Sequence, residues 1–381
     1  MSYLDHNATS PLRPQARAAI ERALAMQANA SSVHKAGRAA RALIEEARAD
    51  VAAAAAASAE QIVFTSCGSE ASALALWAAV EGARESGAPI RYLCVSAIEH
   101  DSVLKTAMQI AGRIPGVCTI TIPVTRDGAV DVAWLRGFLK KADARALVAV
   151  MAANNETGVV QPVSEVLEAV QAAGAVSVVD AVQSCGKIAT DIDADYVTFS
   201  AHKLGGPQGA GALAIKESAP FRAQLVGGGQ ETYRRAGTEN VAGIAGFGAA
   251  AKACRNDGLS RLSGLRDAFE AGLRGRFADC VVFGDRAARL PNTSNFALPG
   301  LPAETALIAL DLDGVMVSSG AACSSGKVMS SHVLGAMGVA PEVARCALRV
   351  SLGWNSEEAD IDAALMSLEK LAARVAARRA A

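Results

Sequence analysis

The sequence has no cysteines spaced as C-x-x-C, no apolar stretch long enough to span a bilayer and no excess of charge of either sign. Each absence removes a class of function. The eight cysteines, at 67, 94, 118, 185, 254, 280, 323 and 346, are scattered singly, which argues against a zinc site or a dithiol redox centre, so no metal is expected. No secretion signal accompanies them, so a disulfide framework is not expected either. A net charge of -1 over 381 residues leaves no electrostatic footprint for nucleic acid or an anionic membrane. The longest apolar runs, at 51–59 and 146–153, are short and alanine-rich, and the opening MSYLDHNATSP shows no basic-then-apolar leader; the expectation is a cytoplasmic protein. Nucleotide-binding signatures are also missing. No G-x-G-x-x-G follows the first strand-like run, and GAACSSGK (320–327) has one residue too many for a Walker loop.

What the sequence does contain is a long alternation. The chain exceeds a single core of ordinary size, so a large α/β domain with a smaller one beside it is expected. After a short irregular start, Arg13 to Gln27 and Arg38 to Ala57 have helical composition. Short β-rich apolar runs follow at 61–65, 92–97, 117–122, 146–152, 176–180 and 196–200, separated mostly by helix-like stretches at 69–85, 101–111, 131–141 and 163–173. Such repetition predicts a mainly parallel sheet covered on both faces. A polar, glycine-containing stretch at 252–260 breaks the pattern and marks a boundary. Beyond it, strands near 280–283, 293–298, 315–318 and 346–352 mix with helices near 302–311 and 357–377, as in a smaller α+β unit. The Ser- and Gly-rich segment 318–332 reads as a mobile surface loop.

Open parallel sheets bind ligands beyond the carboxyl ends of their strands. Polar residues gather at those positions here: SCGSE (66–70), EHDS (99–102), NNETG (154–158), Asp180 and SAHKLGGPQG (200–209). Singly, each fits turn or capping chemistry; together on one edge they point to a site. Lys203, in a close-packed, glycine-rich setting, suits a Schiff-base lysine with a lowered pKa, against the plainer reading of an exposed loop lysine. Asp180 ends a wholly apolar run, so it either meets a cation such as a protonated ring nitrogen or caps the next helix. SCGSE offers N–H groups and a helix dipole to a phosphate, or a plain serine cap to the helix. Cys323 lies among Ser, Gly and Ala, where a thiol is accessible, as a nucleophile or as an incidental exposed cysteine. Arg349, in a short apolar strand, requires an anion, either a substrate carboxylate or an internal acid.

Taken in order, the motifs resemble one family. YLDHNATSP (3–11), FTSCGSEAS (64–72), IEHDSV (98–103), NNETGVVQP (154–162), VDAVQSCGKI (179–188), SAHKLGGPQGAGAL (200–213), GGGQETYRRAGTENV (227–241), SSGAACSSG (318–326) and LRVSLG (348–353) are similar to successive motifs of the cysteine desulfurases, the NifS/IscS group of the class-V aminotransferase superfamily. The resemblance implies an α/β fold, the fold-type I architecture of pyridoxal-phosphate-dependent transferases. It implies a mainly parallel seven-stranded sheet in a large domain (13–256) and a smaller α+β domain (1–12 plus 257–381). Pyridoxal 5′-phosphate would be carried by Lys203, with Gly68, Ser69, Ser200 and His202 at the phosphate and His100 stacked on the ring, assisting proton transfer. Asp180 would pair with the pyridine nitrogen and Gln183 with the phenolic oxygen. Asn155, beside the cofactor, and Arg349 would hold the substrate carboxylate, while Cys323 takes sulfur from L-cysteine as a persulfide and L-alanine leaves. Thr238 is similar to a threonine that reaches the phosphate of the neighbouring subunit, which implies a homodimer. A persulfide implies in turn a sulfur-acceptor or scaffold protein, in iron–sulfur cluster assembly or another sulfur-transfer pathway.

Two departures bear on the site. Ser69 stands where the family usually has threonine and keeps the hydroxyl, whereas Cys67 replaces a glycine and raises the question of backbone angles that only glycine takes freely. The chain closes soon after its last helical stretch, which leans toward the nitrogen-fixation-like branch or a stand-alone desulfurase. Competing readings are a class-V aminotransferase or a selenocysteine lyase, and a catalytically silent relative that serves as an assembly partner. A transaminase has no use for the Cys323 thiol. A silent relative has no use for Lys203, Asp180, His100, Arg349 and Cys323 together.

Overall fold

The computed structural model describes residues 1–26, 28–188, 191–255, 257–320 and 331–380, so Cys323 lies outside the described residues. The chain opens with β1 (Ser2–Tyr3), α1 (Pro14–Leu24) and α2 (Lys35–Ala55). An alternating run follows: β2 (Ile62–Thr65), α3 (Gly68–Glu85), β3 (Ile90–Ser96), α4 (Asp101–Arg113), β4 (Cys118–Ile122), α5 (Val132–Lys141), β5 (Arg145–Met151), α6 (Val163–Ala172), β6 (Val176–Asp180), β7 (Tyr196–Ser200) and β8 (Gly211–Ile215). Then come α7 (Val241–Cys254), α8 (Leu259–Arg276), β9 (Val281–Val282), β10 (Thr293–Ala297), α9 (Ala303–Leu312) and β11 (Val315–Met316). The short helices α10 (His332–Ala336) and α11 (Pro341–Ala344), β12 (Ala347–Ser351) and α12 (Glu358–Ala380) complete the fold.

Seven strands form one sheet in the order β2-β8-β7-β6-β5-β3-β4. Neighbours are parallel except at β8, which runs antiparallel to both β2 and β7. Two inversions cancel, so β2 points the same way as β7 and the carboxyl ends of β2, β3, β5, β6 and β7 share one edge. Period-two alternation explains the two covered faces. Val63, Leu93, Val95, Leu147, Ala149, Val178 and Tyr196 pack with α3 and α4 on one side. Their neighbours in sequence turn to the other side, Cys94, Val148 and Val150 toward α5 and α6, and Phe64, Val179 and Val197 toward α2 and α7.

The second unit is an antiparallel sheet in the order β12-β10-β9 under α8, α9 and α12, with Phe269, Phe296, Leu348, Val350, Leu365 and Leu368 in its core. Leu4 is buried in the same cluster, and β1 pairs parallel with β11, so the start expected to be irregular is partly strand. The expectation of a mobile surface loop over 318–332 needs correction at its described ends. Ser318 exchanges backbone hydrogen bonds with Arg349 (3.1 and 2.6 Å), Ser319 and Ser331 are buried, and the Ser331 hydroxyl caps α10 by accepting from the Leu334 N–H at 3.0 Å. These serines satisfy strand and helix ends, so composition overstated the loop. No helix among the described residues is long and apolar enough to cross a membrane.

Candidate active site

A cavity of about 480 Å³ opens at the carboxyl edge of the large sheet, lined by residues that follow five of its strands and by Arg349 of β12. Lys203 stands in the turn after β7 and donates from Nζ to the carbonyls of Asn7 (2.6 Å) and Ala8 (2.8 Å). Neither partner is a carboxylate. Burial, reinforced by the Arg349 guanidinium and partly opposed by Asp5 and Asp180, pushes the ammonium down to about 8. A lysine whose neutral form is accessible near neutrality is a nucleophile for a carbonyl carbon.

Asp180 ends β6 with its Oδ1 accepting from the Val182 N–H at 2.9 Å. Burial raises its pKa, and the Val182 N–H, His100 and Lys203 oppose the rise. A buried carboxylate without a close cation is a receptor for one. His100 caps α4, and its Nδ1 accepts from the Ser102 N–H at 3.1 Å, so the neutral ring carries its hydrogen on Nε2.

The start of α3 forms one end of the cavity. Cys67 is the helix cap with φ of -172°, extended backbone open to any residue, and its Sγ accepts from the Glu70 N–H at 3.4 Å. The cysteine in place of glycine therefore carries no strain. Gly68 leaves little room for a side chain, because a Cβ there would lie 3.0 Å from Val182 Cγ2 and 3.2 Å from Ser200 Cβ, and those side chains would have to give by a few tenths of an ångström. The Ser200 hydroxyl beside it is buried without a hydrogen-bond partner among the described residues. His202 is pushed down to about 4 by burial and by the Lys203 and Lys187 cations, and its Nδ1 lies 3.1 Å from the Thr9 hydroxyl. An unused hydroxyl, a glycine cradle and a helix N-terminus fit a phosphate.

Arg349 meets the internal acid, one of the two anions that its sequence setting left open. Its Nη2 pairs with Asp5 Oδ1 at 2.6 Å and its Nη1 donates to the Asn155 carbonyl at 2.9 Å, while Nε is buried without an acceptor among the described residues. The internal acid is thus present, yet Arg349 still lines the cavity. Gly68, Ser69, His100, Asn155, Asp180, Gln183, Ser200, His202, Lys203 and Arg349 all meet there. Thr238 does not: it is exposed and stands outside the lining of the cavity. Asp5, Asn7 and Glu99 had been given no role. Glu99 is buried and held well above its ordinary range by desolvation and by the nearby Asp180. The available signal was the polar run Asp5-His6-Asn7, which follows the strand residues Ser2 and Tyr3; the side-chain partners of Asp5 and Asn7, among them Arg349 and Thr293, lie more than a hundred residues away.

The profile described as aminotransferase class-V matches residues 2–364. The chain belongs to this family. Class-V aminotransferases and NifS-like desulfurases depend on pyridoxal phosphate, and the residues above fit that group. A cysteine desulfurase IscS of Dictyoglomus turgidum is 37% identical over 376 residues, 97% of this chain and 94% of its own. An IscS-like cysteine desulfurase of Mycobacterium tuberculosis is 38% identical over 392 residues, 100% of this chain and 98% of its own. The solved NifS-like protein from Rickettsia africae shares the fold with a TM-score of 0.87 at 32% identity, covering 98% of this chain and 99% of its own. In this class-V member the fold is the NifS-like one, a mostly parallel seven-stranded sheet flanked by helices.

Proposed function

We propose that the chain is a cysteine desulfurase, which takes sulfur from L-cysteine onto Cys323 and releases L-alanine. The observation that carries this reading is the meeting of Lys203, Asp180 and the unpartnered Ser200 hydroxyl in one cavity, in a chain whose relatives are named cysteine desulfurases. When bound, pyridoxal phosphate supplies an electron-accepting ring that weakens bonds around the substrate's α carbon.

The chain's own residues do the rest. Lys203 would hold the cofactor covalently, and its Nζ, when free, would move protons at the substrate's α carbon. Asp180 would keep the ring nitrogen protonated, and Gln183 would donate to the phenolic oxygen. Gly68, Ser69, Ser200 and His202 would hold the phosphate, and His100 would stand against the ring and assist proton transfer through Nε2. Arg349 and Asn155 orient the substrate carboxylate, with Asp5 fixing the guanidinium. The Cys323 thiolate then attacks the substrate sulfur. An S–S bond forms as the Cβ–S bond breaks, Cβ takes up a proton, and alanine leaves. A thiol or a sulfur-acceptor protein must afterwards remove the persulfide sulfur, in iron–sulfur cluster assembly or another sulfur-transfer pathway.

The proposal includes a large domain over 13–256 and a small one formed by 1–12 with 257–381, supported by the burial of Leu4 with Phe269 and Phe296. It also includes a homodimer in which Thr238 serves the phosphate of the partner's site, supported by its exposure in one protomer. Incubation of the protein with L-cysteine and a reductant tests the reaction. Sulfide and alanine are expected in equal amounts, and Cys323→Ala is expected to abolish both while the cofactor stays bound. Turnover without alanine, or a fully active Cys323→Ala, refutes the assignment.

A further inference from the structure

Beneath Gln183 lies a buried lysine that the proposed reaction does not use. Lys187 is 8% exposed and follows Gln183 by four residues. Its Nζ donates to Gln183 Oε1 at 2.9 Å and to Asn7 Oδ1 at 3.3 Å. Among the described residues it forms no ion pair with a carboxylate. The titratable groups acting on it are Lys203 and His202 from the turn after β7, Arg349 from β12, His6 from the N-terminal segment and Cys185 from its own turn, none of them a carboxylate. A buried cation with only amide oxygens for partners costs folding free energy, so stability does not account for it.

The amides around Lys187 are fixed one after another. Asn7 Oδ1 also accepts from Asn292 Nδ2 at 3.1 Å, and Asn7 Nδ2 donates to Thr293 Oγ1 at 2.8 Å and to the Asn155 carbonyl at 3.1 Å. With its Oε1 taken by Lys187, Gln183 turns Nε2 the other way and donates to the Asn7 carbonyl at 2.9 Å. That nitrogen has a second hydrogen, and Gln183 lines the cavity. Burial and the Lys203 and Arg349 cations push Lys187 down to about 7; its ammonium form has no lone pair to accept with, and that form opposes a flipped amide that would show the cavity an oxygen instead. The Asn7 carbonyl that receives Gln183 also receives Lys203 Nζ, at 2.6 Å, which ties the cofactor lysine into the same network.

We propose that Lys187 is a positioning residue that locks the Gln183 amide with an N–H directed at the cofactor's phenolic oxygen. This rests on the pyridoxal-phosphate reading above. The test is a pH titration of the bound cofactor's absorption band in holoenzymes carrying Lys187→Met, Lys187→Arg, Gln183→Leu and the Lys187→Met/Gln183→Leu pair. Loss of a donor to the phenolic oxygen destabilises its anion, so Lys187→Met is expected to raise the midpoint by about one pH unit. Lys187→Arg, which also only donates, is expected to restore most of it. In the Gln183→Leu background Lys187→Met should add little further shift, and the melting temperature of Lys187→Met should stay level or rise. If Lys187→Met does not fold, Lys187→Gln, which can accept as well as donate and so permits the flip, takes its place with the same expected direction. An unmoved midpoint in a folded, loaded variant overturns the inference, and so does an undiminished shift in the Gln183→Leu background. A wild-type protein that takes up no pyridoxal phosphate overturns the functional reading with it, whereas a normal wild-type band with an unmoved variant overturns this inference alone.

Discussion

At the scale of single residues, the site depends on charges whose state burial has altered. Lys203 illustrates the consequence. Its neutral form is the reactive one, and burial with the Arg349 cation nearby brings its pKa down to about 8. The rate at which apoprotein captures pyridoxal phosphate should therefore rise with pH and level off just above 8, whereas a lysine at its ordinary value would still gain about tenfold per unit there. Stopped-flow absorbance across that range checks it, and a rate still climbing steeply above pH 9 contradicts it. The chemical type of Lys203, Asp180 and Arg349 was legible from the sequence, since each follows or interrupts an apolar run. Their partners were not. Asp5 pairs with Arg349 across 344 positions, and nothing local at either end announces the pair.

At the scale of elements, the central parallel strands β5, β6 and β7 were legible because both faces of each are buried, which produces unbroken apolar runs. β8 was not. GALAI has one β-branched residue, and its strand character comes from pairing on both sides with β2 and β7 rather than from propensity. Its Gly211 has a further reason, since a Cβ there would come within 2.5 Å of the Cys67 carbonyl carbon. The turn into α3 is tight, though less so, at Gly68. Gly68→Ala should push the added methyl against Val182 and Ser200, at a cost of order 1–3 kcal/mol, and weaken pyridoxal phosphate binding by about tenfold or more. Equilibrium dialysis measures this, and unchanged retention would mean that the phosphate sits elsewhere. The segment 318–332 teaches the opposite lesson, because serines that look like loop composition turn out at its described ends to pair with β12 and cap α10.

At the scale of the whole molecule, the two units are joined by contacts that bring the N-terminus onto the C-terminal part of the chain. Arg13 at the start of α1 pairs with Asp257, and the Asn7 backbone N–H donates to the Ser351 hydroxyl at 2.9 Å. The proposed dimer is the level at which Thr238 acts. Light scattering should report twice the chain mass, and mixing Thr238→Val with Lys203→Ala protein under subunit exchange should raise activity above that of either variant alone. In the mixed dimer the intact Lys203 meets the intact Thr238 of its neighbour. No gain on mixing, with exchange verified, would place Thr238 outside the partner's site.

The sequence by itself determined the alternation of strands and helices, because apolar periodicity is a local property of the chain, and it determined which chemical groups stand at the strand ends. The tertiary structure alone decided which of those groups meet and in what ionic state. Pairing of Arg349 with Asp5, the buried unpartnered Ser200 hydroxyl, the lowered Lys203 and the lysine behind Gln183 all arise from desolvation and from contacts between distant segments. Those quantities exist only once water has been excluded from the interior, so no reading of local pattern contains them.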